Sequence, residues 1–351
     1  MDLQNKEWGE FVIGEIFDEI ANSKAYHKND LKKNITNPIP YITRTKYNNG
    51  VEEIVEDSDL EKNPKNTIVF GAESVTFFYE PFEYITGNKM YYIKDKHFNK
   101  YVCLFLVNLL NNLVKTNFSY SRGLTGSRLK KQRIMLPINE NQLPDYDFME
   151  EYMKTQYTHK LNRVKNDLKT KLKILSYKPL PKLNEMDWNE FSLGNIGTIK
   201  SGKDITKIEM KIGKTPYVSS TANNNGVSAY ISNTNETLED NCISINRNGS
   251  VGYAFYHPYK ALFSNDCRKL IIDNNNNKYI SLFIVNQIKA QKDKYNYGYK
   301  MGTNRLKKQK IMLPIDNEGN PNYNYMEQYM INLEITALLQ YEKYINMLLF
   351  D

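Results

Sequence analysis

A chain of 351 residues is longer than one hydrophobic core usually serves, so two domains of roughly 150 residues each are expected. Apolar residues at 40% and charged residues at 25% exclude a disordered or fibrous chain and describe an ordinary folded, water-soluble one. The formal charge of +7 suits a nucleic-acid partner without requiring one.

In chain order, the opening "MDLQNKEWGEF" has no basic start followed by an apolar run, so no secretory signal is expected there. Cys103, Cys242 and Cys267 are scattered and odd in number, which fits a reducing cytoplasm without disulfides. Short apolar runs in turn-rich surroundings, "NTIVF" at 66–70 and "KLIID" at 269–273, read as strands. The apolar stretch "YVCLFLVNLLNNLV" at 101–114 is shorter than the roughly 20 residues of a membrane span and carries three asparagines. It reads as a buried helix over about 99–114, with a second at about 278–291.

The whole chain is written twice. "RLKKQRIMLPI" at 128–138 returns as "RLKKQKIMLPI" at 305–315, with ten of eleven residues identical. Trp8-Gly9-Glu10-Phe11 returns as Trp188-Asn189-Glu190-Phe191, and Gly14 with Ile16 returns as Gly194 with Ile196. "PYITRTKYNNGV" at 40–51 matches "PYVSSTANNNGV" at 216–227, and "FMEEYM" at 148–153 matches "YMEQYM" at 325–330. The order is conserved between the copies and the offsets stay between 175 and 180. Two copies are too few for a solenoid, so each is a domain in its own right.

Each copy ends in a long helix. From Met153 the apolar positions run through Tyr157, Leu161, Val164, Leu168, Leu172 and Leu175, the stepping of a coiled-coil seam. In the second copy Met326, Met330, Leu333, Ala337, Tyr341, Tyr344 and Leu348 keep nearly the same beat. Lys154 to Lys178 holds eight basic residues against Asp167, whereas Met326 to Asp351 holds four acids against Lys343. The expected layout is α+β: a globule at 1–146, a spacer helix at 147–178, a globule at 179–324 and a spacer helix at 325–351. The two helices are expected to pack antiparallel through Met153, Leu161, Leu168, Leu172, Met330, Ala337 and Tyr344, relating the globules by an approximate two-fold axis. That seam is also where a partner subunit would grip.

Candidate catalytic motifs fail one by one. "GTIKSGKD" at 197–204 approaches a phosphate-binding loop, but Asp204 stands where a magnesium-holding Ser or Thr belongs, and "FDEIANSK" at 17–24 has no glycine. "PDYDFMEEYMK" at 144–154 offers nuclease residue types, yet the second copy replaces the aspartate with Asn322 and Glu151 with Gln328. His27, His97, His159 and His257 stand at no metal-ligand spacing from the cysteines, so no metal is expected. "NPIPY" at 37–41 is not the Asn/Asp-Pro-Pro-aromatic motif of an amino-group methyltransferase. The chain is expected to perform no covalent chemistry and to hold no cofactor.

What remains suits DNA. "SYSRGLTGSRLKKQR" at 119–133 and "YGYKMGTNRLKKQK" at 297–310 mix aromatics, glycines, small polar residues and a basic cluster. Glycines let the backbone approach a phosphate, and Lys and Arg neutralise it. In the first stretch the candidate contacts are Arg122, Thr125, Ser127, Arg128, Lys130 and Lys131. In the second they are Lys300, Thr303, Asn304, Arg305, Lys307 and Lys308, and Lys203 is added from the glycine-bearing loop. Arg128 and its neighbours equally suit capping or flanking the strand that follows, because residues that read different half-sites ought to differ between copies. Base readers are therefore sought where the loops diverge: Thr43, Arg44 and Thr45 against Ser219, Ser220 and the nearby Asn223, and "VFGAESV" at 69–75 against "INRNGSV" at 245–251. In the latter block Arg247, Asn248 and Ser250 are the candidates. Arg44 and Arg247 are the strongest, since a guanidinium can grip a guanine with two hydrogen bonds.

Taken together, Trp-x-x-Phe-x-x-Gly-x-Ile, Pro-Tyr followed by Asn-Gly, Ile-x-Arg-x-Gly-Ser, Gly-Thr-x-Arg-Leu and a long helix, given twice, resemble the specificity subunits of type I restriction–modification systems. The "YMEQYM" ending is closer to the type IIB (BcgI-like) branch. The Arg-x-Gly-Ser element is intact only in the second copy (Arg247, Gly249, Ser250); the first has Ala72 and Ser74 there. The resemblance implies that each globule is a target-recognition domain for one half of a split double-stranded DNA site, with the halves near one helical turn apart. It further implies that methylation and cleavage belong to a partner methyltransferase or fused methyltransferase–nuclease, which uses S-adenosylmethionine and magnesium. Two other readings stay open: a duplicated scaffold or inhibitor of a restriction complex, and a DNA nuclease whose site escapes these motifs.

Overall fold

The computed structural model describes residues 2–32, 35–115, 118, 123–273, 276–295 and 300–350. The chain divides into two compact units, Met1–Arg163 and Val164–Asp351.

The first unit contains β1 (Trp8–Val12), the short α1 (Ile13–Ile16), β2 (Glu19–Asn22), β3 (Pro38–Ile42), β4 (Val51–Glu56), β5 (Thr67–Gly71), β6 (Phe77–Glu80), β7 (Ile85–Thr86) and β8 (Met90–Lys94). Then come α2 (Lys100–Val114), the one-turn α3 (Gly126–Lys130), β9 (Arg133–Pro137) and the long α4 (Tyr146–Ile174), which continues past Arg163 into the second unit. The second unit repeats the order with β10 (Trp188–Ser192), α5 (Leu193–Ile196), β11 (Gly197–Ser201), β12 (Ile212–Val218), β13 (Val227–Ile231), β14 (Cys242–Asn246), β15 (Ala254–His257), β16 (Leu262–Phe263) and β17 (Cys267–Ile272). It closes with α6 (Lys278–Lys289), α7 (Thr303–Lys307), β18 (Lys310–Pro314) and α8 (Tyr323–Phe350).

Each unit holds a four-stranded antiparallel sheet, a three-stranded mixed sheet and a two-stranded ribbon. The first has β2-β8-β5-β6, β4-β3-β7 and β1-β9; the second has β11-β17-β14-β15, β13-β12-β16 and β10-β18. The helix α2 buries Val102, Phe105, Leu106, Leu110 and Val114, spaced as one face of a helix, in the core that also holds Ile68, Phe70, Phe77 and Ile93 of the larger sheet. The helix α6 does the same with Ile280, Phe283, Ile284 and Ile288. Asn99 and Asn277 start these helices, each side chain accepting two backbone N–H bonds at 2.9–3.1 Å.

The exact repetition of the basic phrase has a structural cause. Its strand half pairs with the Trp strand, Trp8 opposite Pro137 and Trp188 opposite Pro314. Ile134 and Leu136 point inward while Arg133 and Met135 face solvent, the alternation of a half-buried strand. Its helical half packs so closely on the opening of the unit that a side chain in place of Gly14 would meet the Lys130 carbonyl at 2.9 Å; for Gly194 and Lys307 the distance is 3.0 Å. The Trp rings stack over α2 and α6, Trp8 on Phe105 at 6.3 Å and Trp188 on Phe283 at 6.2 Å.

Two of the motifs dismissed as catalytic are also structural. Gly197–Ser201 is a strand paired along its length with β17. Asp145 forms an ion pair with Lys6 at 2.6 Å and caps α4 by accepting from the Phe148 N–H at 3.0 Å. The three cysteines are buried and free. Among the described residues no cluster of His, Cys, Asp and Glu could hold a metal, and no helix is long and apolar enough to cross a membrane.

The seam on α8 differs from the expected one. Leu161 and Leu168 on α4 are buried, Met153 packs against the core of the first unit, and Leu172 is half-buried. On α8, however, Ala337 and Tyr344 are exposed, as are Leu333 and Tyr341, while Tyr325, Met326, Gln328, Ile335 and Ile345 are buried and Met330 is half-buried against the core of the second unit. The reason is that α8 is apolar on more than one face, so a three-four beat can be traced through more than one stripe. Within the second unit the segment following α4 is tied to α8: Gln328 donates to the Ser176 carbonyl at 2.8 Å and Asn332 to that of Lys178 at 2.7 Å.

Candidate nucleic-acid interface

In each unit three connections converge at one end of the larger sheet. The first follows β3 or β12, the second follows β5 or β14, and the third is the turn into β8 or β17. The first is shaped by Asn-Asn-Gly: Asn48, Asn49 and Gly50 all have positive φ, and so do Asn224, Asn225 and Gly226. Asparagine and glycine tolerate that conformation better than other residues do. The turn returns the chain at once, and the preceding residues are pinned by Thr43 N–H to the Gly50 carbonyl at 2.9 Å and Ser219 N–H to that of Gly226 at 2.8 Å. The second and third connections are joined by one backbone bond in each unit, Ala72 N–H to Lys89 carbonyl at 3.0 Å and Arg247 N–H to Asp266 carbonyl at 2.8 Å. These matched bonds equate Arg44 with Ser220, Ala72 with Arg247, Glu73 with Asn248 and Lys89 with Asp266.

In the first unit Thr43, Arg44 and Thr45 line an open cleft of about 1100 Å³ with Lys28, Lys46 and Lys115, among others. Arg44 does not project alone. Its guanidinium forms an ion pair with Glu73, which also accepts from Lys89 Nζ at 2.6 Å. Lys89 foremost, with Arg44 adding to it, holds the Glu73 carboxyl below the usual carboxylate range.

In the second unit Arg247 lines a cavity of about 350 Å³ together with Lys300, Gly302, Thr303, Asn304 and Arg305. Five candidates from separate stretches of sequence thus share one site. Arg247 and the Asn248 amide both reach Asp266 Oδ1 at 3.3 Å. Behind them lies Arg268, which sequence reasoning missed. It is 5% exposed and donates through Nε to Thr303 Oγ at 2.7 Å and through Nη1 to the carbonyls of Asn265 and Cys267. Burial first, and then the neighbouring charge of Arg247, lowers its pKa from the usual arginine value. Arg268 therefore ties β17 to the start of α7.

Thr125 caps α3, and the guanidinium of Arg128 donates to the Gly123 carbonyl at 2.6 Å; Arg305 makes the same bond to the Lys300 carbonyl. These two arginines order their own loops. Ser127, Lys130, Lys131, Lys307 and Lys308 are exposed beside them. Lys203 pairs with Glu236 at 2.9 Å and does not line the Arg247 cavity. Ser219, Ser220 and Ser250 are half-buried, with the Ser250 N–H donating to the Ser220 carbonyl at 3.3 Å, and Asn223 is exposed on the turn. Arg122 lies outside the described residues. Glu73, Lys89 and Asp266 were also missed. A position-by-position alignment of the two copies would have found them, because two matched places change charge.

Comparison with known proteins places this arrangement. The type I restriction modification DNA specificity domain is matched twice, over residues 5–166 and 185–342, and the chain belongs to that family. It is 34% identical over 335 residues to the specificity subunit of the type II restriction enzyme BcgI of Heyndrickxia coagulans, a match covering 93% of this chain and 95% of that subunit. Its fold is similar to that of the type I restriction–modification S subunit from M. genitalium, with a TM-score of 0.56 at 17% identity, over 99% of this chain and 95% of that one. The fold is thus two tandem specificity domains of mixed helix and sheet.

Proposed function

We propose that this chain is the DNA-reading, non-catalytic subunit of a restriction–modification complex, and that each unit reads one half of a split double-stranded site. The observation that carries this reading is the three-loop junction. One backbone frame is built twice, and among the residues that differ between the copies are those at the open cleft where arginines, lysines and small polar groups meet. A reader of two unlike half-sites needs that combination: a constant frame, and variable side chains able to reach base edges. The exposed lysines after α3 and α7 supply the sequence-independent attraction to phosphate.

Methylation and cleavage fall to a partner methyltransferase, or fused methyltransferase–nuclease, which would bring S-adenosylmethionine and magnesium. The two half-sites are taken to stand at a fixed gap near one turn of duplex, roughly 34 Å. The test varies that gap. The complex that co-purifies with the tagged chain is expected to lose at least tenfold in affinity when one base pair is added between the halves. Equal affinity for every gap length would contradict the reading, and a salt-independent affinity would favour a scaffold instead.

A further inference from the structure

The two junctions hold the same pair of side-chain types in a permuted arrangement. Each places one arginine against one carboxylate. In the first unit the arginine comes from the first connection (Arg44) and the carboxylate from the second (Glu73). In the second unit the arginine comes from the second connection (Arg247) and the carboxylate from the third (Asp266). The equivalent places are filled by residues that cannot form the pair: Ser220 where Arg44 stands, Ala72 where Arg247 stands, and Lys89 where Asp266 stands. The arginine–carboxylate pair has thus been preserved while its donor positions have not.

A carboxylate facing DNA weakens general affinity, because the phosphates repel it. Its presence at both junctions therefore calls for a role other than binding strength. The geometry offers one. A guanidinium reads guanine by presenting two parallel N–H groups to O6 and N7, which requires the fork to be held in plane. An arginine on a loop otherwise loses rotamer freedom when it engages, and a partner that fixes it beforehand reduces that loss. Glu73, itself anchored by Lys89 at 2.6 Å, gives Arg44 such a fixed partner, and Asp266, which also accepts from Asn248, gives one to Arg247.

We propose that Glu73 and Asp266 are specificity-determining positioning residues, each orienting one arginine to read one guanine of a G·C pair in its own half-site. This rests on the DNA-reading function proposed above. The shifted donor connection further implies that the guanine stands at a different place within each half.

The experiment is selection from duplexes randomised across both half-sites, using the complex that co-purifies with the tagged full-length chain. Arg44→Lys and Glu73→Gln are both expected to reduce preference at the same single G·C pair in the same half-site, by about tenfold. Arg247→Lys and Asp266→Asn are expected to do so at one G·C pair in the other half. Glu73→Gln should in addition raise affinity for random duplex, a change that a purely structural role would not produce. The proposal is overturned if the paired variants act at different base pairs, if all positions weaken together, or if no preference changes. A wild-type complex that selects no split motif would instead overturn the DNA-reading function itself.

Discussion

Beneath the two junctions the same sheet corner is built from different material. In the first unit Phe70 of β5 lies 4.9 Å from Phe77 of β6 and 5.2 Å from Tyr91 of β8, ring centre to ring centre. In the second unit the matching strands place Ile245 opposite Ala254 and opposite Arg268. Tyr91 is in turn in contact range of Gly126 at the start of α3, whereas Arg268 reaches the start of α7 by a hydrogen bond to Thr303. One corner is held by stacked rings and the other by a buried, hydrogen-bonded cation. Backbone registers and the asparagine caps of α2 and α6 are shared, so the frame tolerates either solution, and the chemistry under each junction is free to differ.

The largest effects should separate the two corners. Phe70→Ala removes a fully buried ring and is expected to cost about 3–5 kcal/mol, whereas Ile245→Val at the matching place should cost roughly 0.5–1.5 kcal/mol. Hydrogen exchange of the β5 and β14 amides would report the loss in each unit separately. Equal losses would mean that the aromatic corner carries no special weight.

A smaller effect, opposite in sign between the units, is expected from pH. Glu80 ends β6 and His257 ends β15 at equivalent positions, and both are buried. Burial pushes the Glu80 carboxyl up to about 8, with Oε1 lacking any partner, and pushes His257 down to about 4. For Glu80 the folded state holds its proton more tightly than the unfolded state, so stability is full below about 4.5 and falls as pH rises towards 8. For His257 the unfolded state takes the proton first, so stability is full above about 6.5 and falls as pH drops towards 4. Each effect is on the order of a few kcal/mol. Glu80→Gln should flatten the alkaline loss in the first unit only. A parallel pH response in both units would contradict these assignments.

Much of this was legible in the sequence, and for physical reasons. The repeat exposed the domain count, because residues that fix a frame (Trp8 and Trp188, Gly14 and Gly194, the Leu-Pro-Ile strands) cannot vary without breaking contacts that both copies need. Arg44 and Arg247 stood out by the opposite logic. Their carboxylate partners did not, since Glu73 is 29 positions from Arg44 and Asp266 is 19 from Arg247. Only the convergence of three connections brings them together. Arg268 was hidden for a similar reason: nothing in "NDCRKLIID" distinguishes a buried arginine from an exposed one. On α8 the stripe through Ala337 and Tyr344 is exposed in this chain and Ile335 and Ile345 are buried, a choice between two apolar faces that periodicity alone cannot make.

The central claim, that one frame is used twice to read two unlike half-sites, has a direct test. In a chain whose residues 1–146 are replaced by a second copy of residues 179–324, both units would carry the Arg247–Asp266 junction. The DNA motif selected by the complex formed with that chain should carry the second half-site twice. Retention of the original asymmetric motif would contradict the claim, because it would place recognition outside the units that were exchanged.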